Sequence, residues 1–184
     1  MVKIVAFSGV QCSGKTTLAK LLYEYLFQNG YNVEYIPSVT RHYLKLLDIN
    51  LKELRKNKEG TKVWQYFTFN EFLRILDKMS SNNKLDYIIT DRWVYDYLVY
   101  TKITCSKEFE NHLKSLFAYS IDKYDLHAIK ILCLPFNKPE DDGIRDTSTF
   151  EQEMSEFQKY NYNLILKNEP PFDRLKKVVD YLIF

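Results

Sequence analysis

Residues 3–28, KIVAFSGVQCSGKTTLAKLLYEYLFQ, restrict the fold more than any other stretch of the chain. KIVAF is a continuous apolar run, the pattern of a strand buried on both faces, and it ends in a glycine loop. From Lys15 the spacing changes. Leu18, Leu21, Leu22, Tyr25 and Leu26 fall at i, i+3, i+4, i+7 and i+8, the apolar stripe of a helix, and Gly30 follows as its stop.

The alternation continues down the chain. YNVEYI reads as a second strand closed by Pro37, DYIIT as a third, HAIKILCLP as a fourth and YNLIL as a weaker fifth. Residues from about 40 to 80 read as mostly helical, with a break near Gly60. PPFDRLKKVVDYLIF reads as a last helix, opened by paired prolines and carrying Leu175, Val178, Val179 and Leu182 on one face. Strands alternating with helices predict a three-layer α/β/α fold with a parallel sheet of about five strands. With no internal repeat or linker, 184 residues make one domain over 1–184, large enough for a substantial core.

In such a sheet a ligand sits beyond the carboxyl ends of the strands. Four glycine-bearing or charged segments fall there: 9–17, 37–41, 91–96 and 136–149. The first, GVQCSGKTT, satisfies G-x-x-x-x-G-K-[ST] with Gly9, Gly14, Lys15 and Thr16. The glycines let the backbone wrap so that its N–H groups face phosphate oxygens, and the helix that follows offers its positive end. Lys15 reaches the β and γ phosphates, and the Thr16 hydroxyl can ligate magnesium. Gly9, Gly14, Lys15, Thr16 and Thr17 therefore form the expected ATP-binding set, with Mg2+ bound alongside ATP as phosphoryl donor. A chance match in a glycine turn would lack the strand before it and the helix after it. Cys12 lies inside the loop and is read as a small side chain that fits.

The segment DRWVYDY puts Asp91 and Arg92 just past the third strand. Asp91 there can hold the magnesium shell with Thr16 or accept the proton of an attacking hydroxyl, and Arg92 can bridge phosphates. Equally, Asp91 can be a helix N-cap with Arg92 solvated. Tyr95 and Asp96, one turn on, read as a helix face. NKLD at Asn83–Asp86 resembles a guanine-reading tetrapeptide, but it precedes a strand instead of following one, so it reads as a polar turn. His42, His112 and His127 have no metal-ligand spacing and read as structural.

Composition removes several classes. A formal charge of +2 gives no support to a nucleic-acid or membrane partner from net field alone, although a local patch is compatible with it. No apolar run approaches the roughly 18 residues of a membrane span, and the N-terminus lacks the pattern of a signal peptide. Cys12, Cys105 and Cys133 are odd in number and widely spaced, which fits reduced thiols and a cytoplasmic location. Arginine is scarce (Arg41, Arg55, Arg74, Arg92, Arg145 and Arg174), so each one carries more weight. The fifteen tyrosines leave room for a homodimer face without locating it.

In motif order, the phosphate loop, the DR after the third strand and an arginine-bearing loop after the fourth resemble the thymidylate-kinase-like nucleoside and nucleotide kinases. PEDDGIRD is similar to the corresponding segment of the ribosylnicotinamide kinase type of P-loop domain. The resemblance implies a kinase fold with a short lid at about 136–149, in which Arg145 meets the charge on the transferring phosphoryl group. It also implies an acceptor site holding Arg41, Arg92, Trp64, Phe67 and Gln65, and a catalytic set of Lys15, Asp91, Arg92 and Arg145. Arg41 reads equally as a surface residue, and Trp64 and Gln65 as helix core.

One departure stands out. Related nucleoside kinases carry a carboxylate just after the second strand, where this chain has Ser38, with Glu34 still inside the strand. Either Asp91 is the base or transfer rests mostly on positioning. The expected activity is ATP-dependent phosphorylation of a small nucleoside or nucleoside monophosphate. The alternatives are a kinase acting on a nucleotide within DNA or RNA, and an ATP-hydrolysing switch. The acidic loop around Gly143 is not a calcium loop of the EF-hand type, because that register would begin at Lys138 and end at Thr149. A solvated turn remains the other reading of it.

Overall fold

The computed structural model of the protein describes residues 2–136 and 149–183. Five strands form one sheet: β1 (Lys3–Ser8), β2 (Val33–Ile36), β3 (Tyr87–Asp91), β4 (Ala128–Cys133) and β5 (Leu164–Leu166). Their order is β2-β3-β1-β4-β5, and every neighbouring pair is parallel. Parallel neighbours need crossover connections, and helices supply them. These are α1 (Lys15–Gln28), α2 (Val39–Leu46), α3 (Leu51–Lys56), α4 (Lys58–Ser80), α5 (Val94–Thr104), α6 (Lys107–Leu116), α7 (Ala118–Asp125), α8 (Phe150–Phe157) and α9 (Pro171–Ile183). The result is a three-layer α/β/α fold.

The period-2 alternation of β1 divides the core in two. Ile4 and Ala6 join Ile88 beneath Phe69, Phe72 and Leu76 of α4 and Val94 and Leu98 of α5. Val5 and Phe7 join Ile89 and Ile131 beneath Leu18 and Leu22 of α1 and Val178 of α9. Both faces of the central strand are thus apolar, which is why KIVAF shows no polar alternation. A third cluster, Val99, Tyr100, Leu132, Phe150 and Phe157, seats α8 against α5.

One local reading is refined and one corrected. The helical stretch from 40 to 80 breaks at Asn57, near Gly60 as expected, and is interrupted once more, at Leu47–Asn50. Asn57 is extended (φ −99°, ψ 101°), and its side chain accepts the Gly60 N–H at 3.0 Å, so Gly60 sits in the first turn of α4 as the capped residue. The third strand runs one residue further than DYIIT, which makes Asp91 its last residue instead of the first residue beyond it. Helix α5 shows no amphipathic period because Val94 through Thr101 are all buried, inside the fold on every side. Gly30 does close α1, with a left-handed φ of 82°.

Candidate active site

The phosphate loop is shaped by its glycines. Gly9 has φ 138°, and a Cβ there would run into the Cys133 carbonyl oxygen of β4, so the loop cannot leave β1 along this path with any other residue. Gly14 (φ 80°) is the N-cap of α1, and Cys12 also takes a left-handed φ of 58°, exposed at the loop's crest. Lys15 is buried and coiled back over the loop: its Nζ donates to the carbonyls of Gly9 (2.7 Å) and Val10 (2.6 Å) and to Ser13 Oγ (3.1 Å). Its partners are weak carbonyl dipoles that an incoming phosphate can replace. Burial pushes the Lys15 ammonium below its usual range, and the charge of Asp96 opposes that most strongly. Thr17, in the first turn of α1, is exposed.

Thr16 and Asp91 meet across the sheet. Thr16 Oγ1 donates to Asp91 Oδ2 at 2.6 Å, joining the loop after β1 to the end of β3. This pair offers hydroxyl and carboxylate oxygens beside the phosphate loop, the donor set that suits Mg2+, a hard cation that keeps several waters and takes phosphate oxygens. No cluster of three or more His, Cys, Asp or Glu competes as a metal site among the described residues.

Arg92 follows in a strained backbone, with φ 140° in a region that non-glycine residues avoid. The strain aims a largely buried guanidinium. Nε donates to Ser38 Oγ at 3.1 Å, Nη1 lies 3.4 Å from Asp96 Oδ1, and the guanidinium carbon lies 4.9 Å from the centre of the Tyr100 ring. Ser38, at the position where related kinases carry a carboxylate, holds Arg92 and makes no side-chain cap to α2. Burial alone would lower the Arg92 pKa, but the oxygens of Tyr100, Asp96 and Asp91 together raise it, so the group is a permanent cation.

Beside Arg92 lies a cavity of about 50 Å³ lined by Gln11, Arg55, Trp64, Gln65, Asp96 and Tyr97, among others. Trp64 Nε1 and the Tyr97 hydroxyl are buried there with no hydrogen-bond partner among the described residues. Buried polar groups without partners are uncommon, and these two leave unused hydrogen-bonding capacity in one cavity wall. Gln65 is partly engaged, its Nε2 donating to Thr104 Oγ1 at 3.3 Å. A cavity this size holds water but no nucleoside, which needs several hundred Å³. An acceptor of that size therefore requires outward movement of a wall, and α3, whose residues are none of them buried, is the least anchored one. A larger cavity, about 470 Å³, lies at the opposite edge of the sheet around Lys3, Tyr31, Asn82 and Asp86. It has no phosphate loop, and the NKLD turn belongs to that edge.

The sequence-predicted residues divide clearly. Gly9, Gly14, Lys15, Thr16, Asp91 and Arg92 converge on one edge, with Trp64 and Gln65 beside them. Arg41 does not join them: it is exposed, and Thr40 lines the cavity in its place. Arg145 and the acidic glycine segment lie outside the described residues. Three residues given no site role from sequence also belong here, and for Asp96 this corrects its reading as a helix face. Asp96 is fully buried, accepting the Trp93 N–H at 3.2 Å as well as facing Arg92. Arg55 brings a second guanidinium to the cavity. Arg174 of α9 is 1% exposed and donates to the carbonyls of Ser13 (2.7 Å), Leu134 (2.7 Å) and Lys167, with Phe136 stacked on it at 4.3 Å. Arginine scarcity was the available signal for Arg55 and Arg174, although it points as readily to Arg74, an exposed partner of Glu71. Nothing in the spacing distinguished Asp96 from a helix-face acid.

A parallel sheet, a glycine loop wrapped around the Lys15 ammonium between β1 and α1, and a Thr–Asp pair at its mouth define a P-loop domain of the kinase-type fold. A family model described as AAA domain matches residues 4–172, and the chain belongs to that family. Solved structures share the fold at low identity. Deoxyadenosine kinase from M. mycoides, solved with the products dCMP and a flexible dCDP bound, is 13% identical with a TM-score of 0.63, over 97% of this chain and 98% of that one. The APS kinase CysC of Mycobacterium tuberculosis is 12% identical with a TM-score of 0.52, over 100% and 99%. No curated protein matches by sequence. No helix among the described residues is long and apolar enough to cross a membrane.

Proposed function

We propose that the protein is a phosphotransferase that moves the γ-phosphoryl group of ATP, with Mg2+, to a small nucleoside or nucleoside monophosphate in nucleotide metabolism. The observation that carries this reading is the pairing of a phosphate loop with an adjacent buried cavity whose Trp64 Nε1 and Tyr97 hydroxyl lack partners. A nucleotide hydrolase needs a water beside the γ-phosphate. An acceptor kinase needs a second, polar, water-excluding pocket there. The folds of the deoxyadenosine kinase and APS kinase structures are in keeping with it.

In this reading the phosphates displace the Lys15 ammonium from the loop carbonyls onto their own oxygens. Thr16 and Asp91 would hold Mg2+, which when bound would supply positive charge to the transferring phosphate. Arg92, held by Ser38 and Asp96, faces both the cavity and the phosphate loop and balances charge that develops during an in-line transfer. Arg145 would add a further cation from the lid. Phosphoryl transfer demands mainly positioning and charge, and these residues supply both.

A panel of nucleosides and nucleoside monophosphates incubated with ATP and Mg2+, following ADP release and product mass, tests the proposal. An acceptor that accelerates ADP release and gains one phosphate is the expected result, abolished in Lys15→Ala with the fold intact. ADP release that no acceptor accelerates would indicate the ATP-hydrolysing switch. Label appearing only in added oligonucleotide would indicate a nucleic-acid acceptor.

A further inference from the structure

Where the acceptor is a nucleoside, the transfer releases a proton from its hydroxyl, and among the described residues two carboxylates, Asp91 and Asp96, stand near the phosphate loop to receive it. They are not equivalent. Asp91 is bonded through Oδ2 to Thr16 Oγ1, which commits it to the cation side of the site, and it does not line the acceptor cavity. Asp96 does line it, as the one carboxylate among the described residues that do. Ser38, after β2, has no carboxylate to offer and is occupied by Arg92.

We propose that Asp96 is the catalytic base of the transfer. This rests on the phosphotransferase reading above. A carboxylate has about four lone-pair positions, and Asp96 uses one for the Trp93 N–H and one, loosely, for Arg92. With the Ser8 hydroxyl beside it counted as a third, one more hydroxyl can still be accepted. In the step, the acceptor oxygen forms its bond to the γ-phosphorus. The bond from that phosphorus to the bridging oxygen breaks, its electron pair leaves on ADP, and the hydroxyl proton passes to the Asp96 carboxylate.

The surroundings make Asp96 a stronger base than an exposed carboxylate. Burial pushes the Asp96 carboxyl up, while Arg92 and Lys15 hold it down, and the upward effect prevails. The titratable groups facing it are Lys15 from α1, Cys133 from β4, Tyr162 ahead of β5, and Arg92, Tyr97 and Tyr100 around α5. At neutral pH the tyrosines and the cysteine are protonated, since burial raises each of them. Among the described residues the charged groups left around Asp96 are two cations, Lys15 and Arg92, which oppose the effect of burial.

The test is turnover with a nucleoside acceptor found in the panel, from about pH 5 to about pH 9, for the wild type, Asp96→Asn, Asp96→Glu and Glu153→Gln. A panel in which only monophosphates are accepted overturns the proposal, since no hydroxyl proton is then released. The glutamine variant controls for Glu153, a second buried carboxyl raised by burial and bonded to Tyr100. The wild type should lose kcat toward acid with a single limb. Asp96→Asn should lower kcat about a hundredfold and abolish that limb, with ATP affinity within about threefold of wild type. Asp96→Glu should restore part of the rate with the limb displaced, and Glu153→Gln should retain it. Retention of the acid limb in Asp96→Asn, whatever its rate, would make Asp96 a support for Arg92 and overturn the proposal. A flat wild-type profile overturns it even if Asp96→Asn does not fold. Failure of every acceptor in the panel would instead remove the kinase reading itself.

Discussion

Arg174 ties together three loops that the chain brings to one edge from far apart, and replacing it with methionine measures how far the phosphate loop depends on that tie. The side chain donates to Ser13 in the loop after β1, to Leu134 after β4 and to Lys167 after β5. Each hydrogen bond from a charged donor contributes about 1.5–3 kcal/mol, so three set an upper bound of about 5–9 kcal/mol. Methionine retains much of the apolar contact with Phe136, and water reaches some of the freed carbonyls, which reduces the expected loss to about 3–5 kcal/mol. For a chain of this size that lowers Tm on the order of 10 °C. The functional effect is separate. With the Ser13 carbonyl untethered, the neighbouring N–H groups are no longer fixed toward phosphate, and ATP affinity should fall about tenfold, ~1.4 kcal/mol. Thermal unfolding by circular dichroism gives the first quantity and titration with a fluorescent ATP analogue the second. Arg174→Lys keeps the charge without the planar fork and should fall between. A methionine variant with unchanged Tm and unchanged nucleotide affinity would refute the reasoning. A lower Tm alone would limit Arg174 to holding the fold.

Two further outcomes are expected. Glu110 is buried against Lys107 (2.7 Å) and Lys114 (2.6 Å). Burial alone would raise its carboxyl, but the two ammonium groups prevail and lower it below the ordinary carboxylate value. A depressed pKa contributes stability above the unfolded value of about 4.3 and loses it as pH falls through the folded value, so Glu110→Gln should lower Tm at neutral pH but lose less further Tm than wild type on acidification below about pH 4. Equal acid sensitivity in a pH series of melts would show that Glu110 does not set it. If the loop at 136–149 is a lid, Arg145→Ala should reduce kcat by about a hundredfold or more while leaving ATP affinity nearly intact. Single-turnover kinetics showing unaltered chemistry would remove that arginine from the reaction.

Legibility of this protein from its sequence followed the range of the interactions involved. The strand, phosphate loop and first helix were readable because each depends on neighbours within a few residues: apolar period, left-handed glycines at Gly14 and Gly30, and a lysine and threonine at fixed offsets. The parallel three-layer class followed from repetition of that unit, and Asp91 and Arg92 from their place at a strand end. The strand order β2-β3-β1-β4-β5 is different in kind, because it is set by which faces can be buried together across the whole chain.

The same holds for Asp96, Arg55 and Arg174. Asp96 resembled a solvated helix-face acid because its burial comes from β1, the phosphate loop and the segment before β5, all distant in sequence. Arg174 bonds Ser13 across 161 residues, a contact no local period encodes. Arg41 shows the converse: a residue next to a strand end and rare in this chain is nonetheless exposed, because the direction of its side chain depends on how α2 turns over the sheet. Local sequence determined where the glycine loop and its lysine and threonine fall. Only the closure of distant elements decided which carboxylate and which arginines stand around that loop, since burial and charge pairing are properties of the assembled fold.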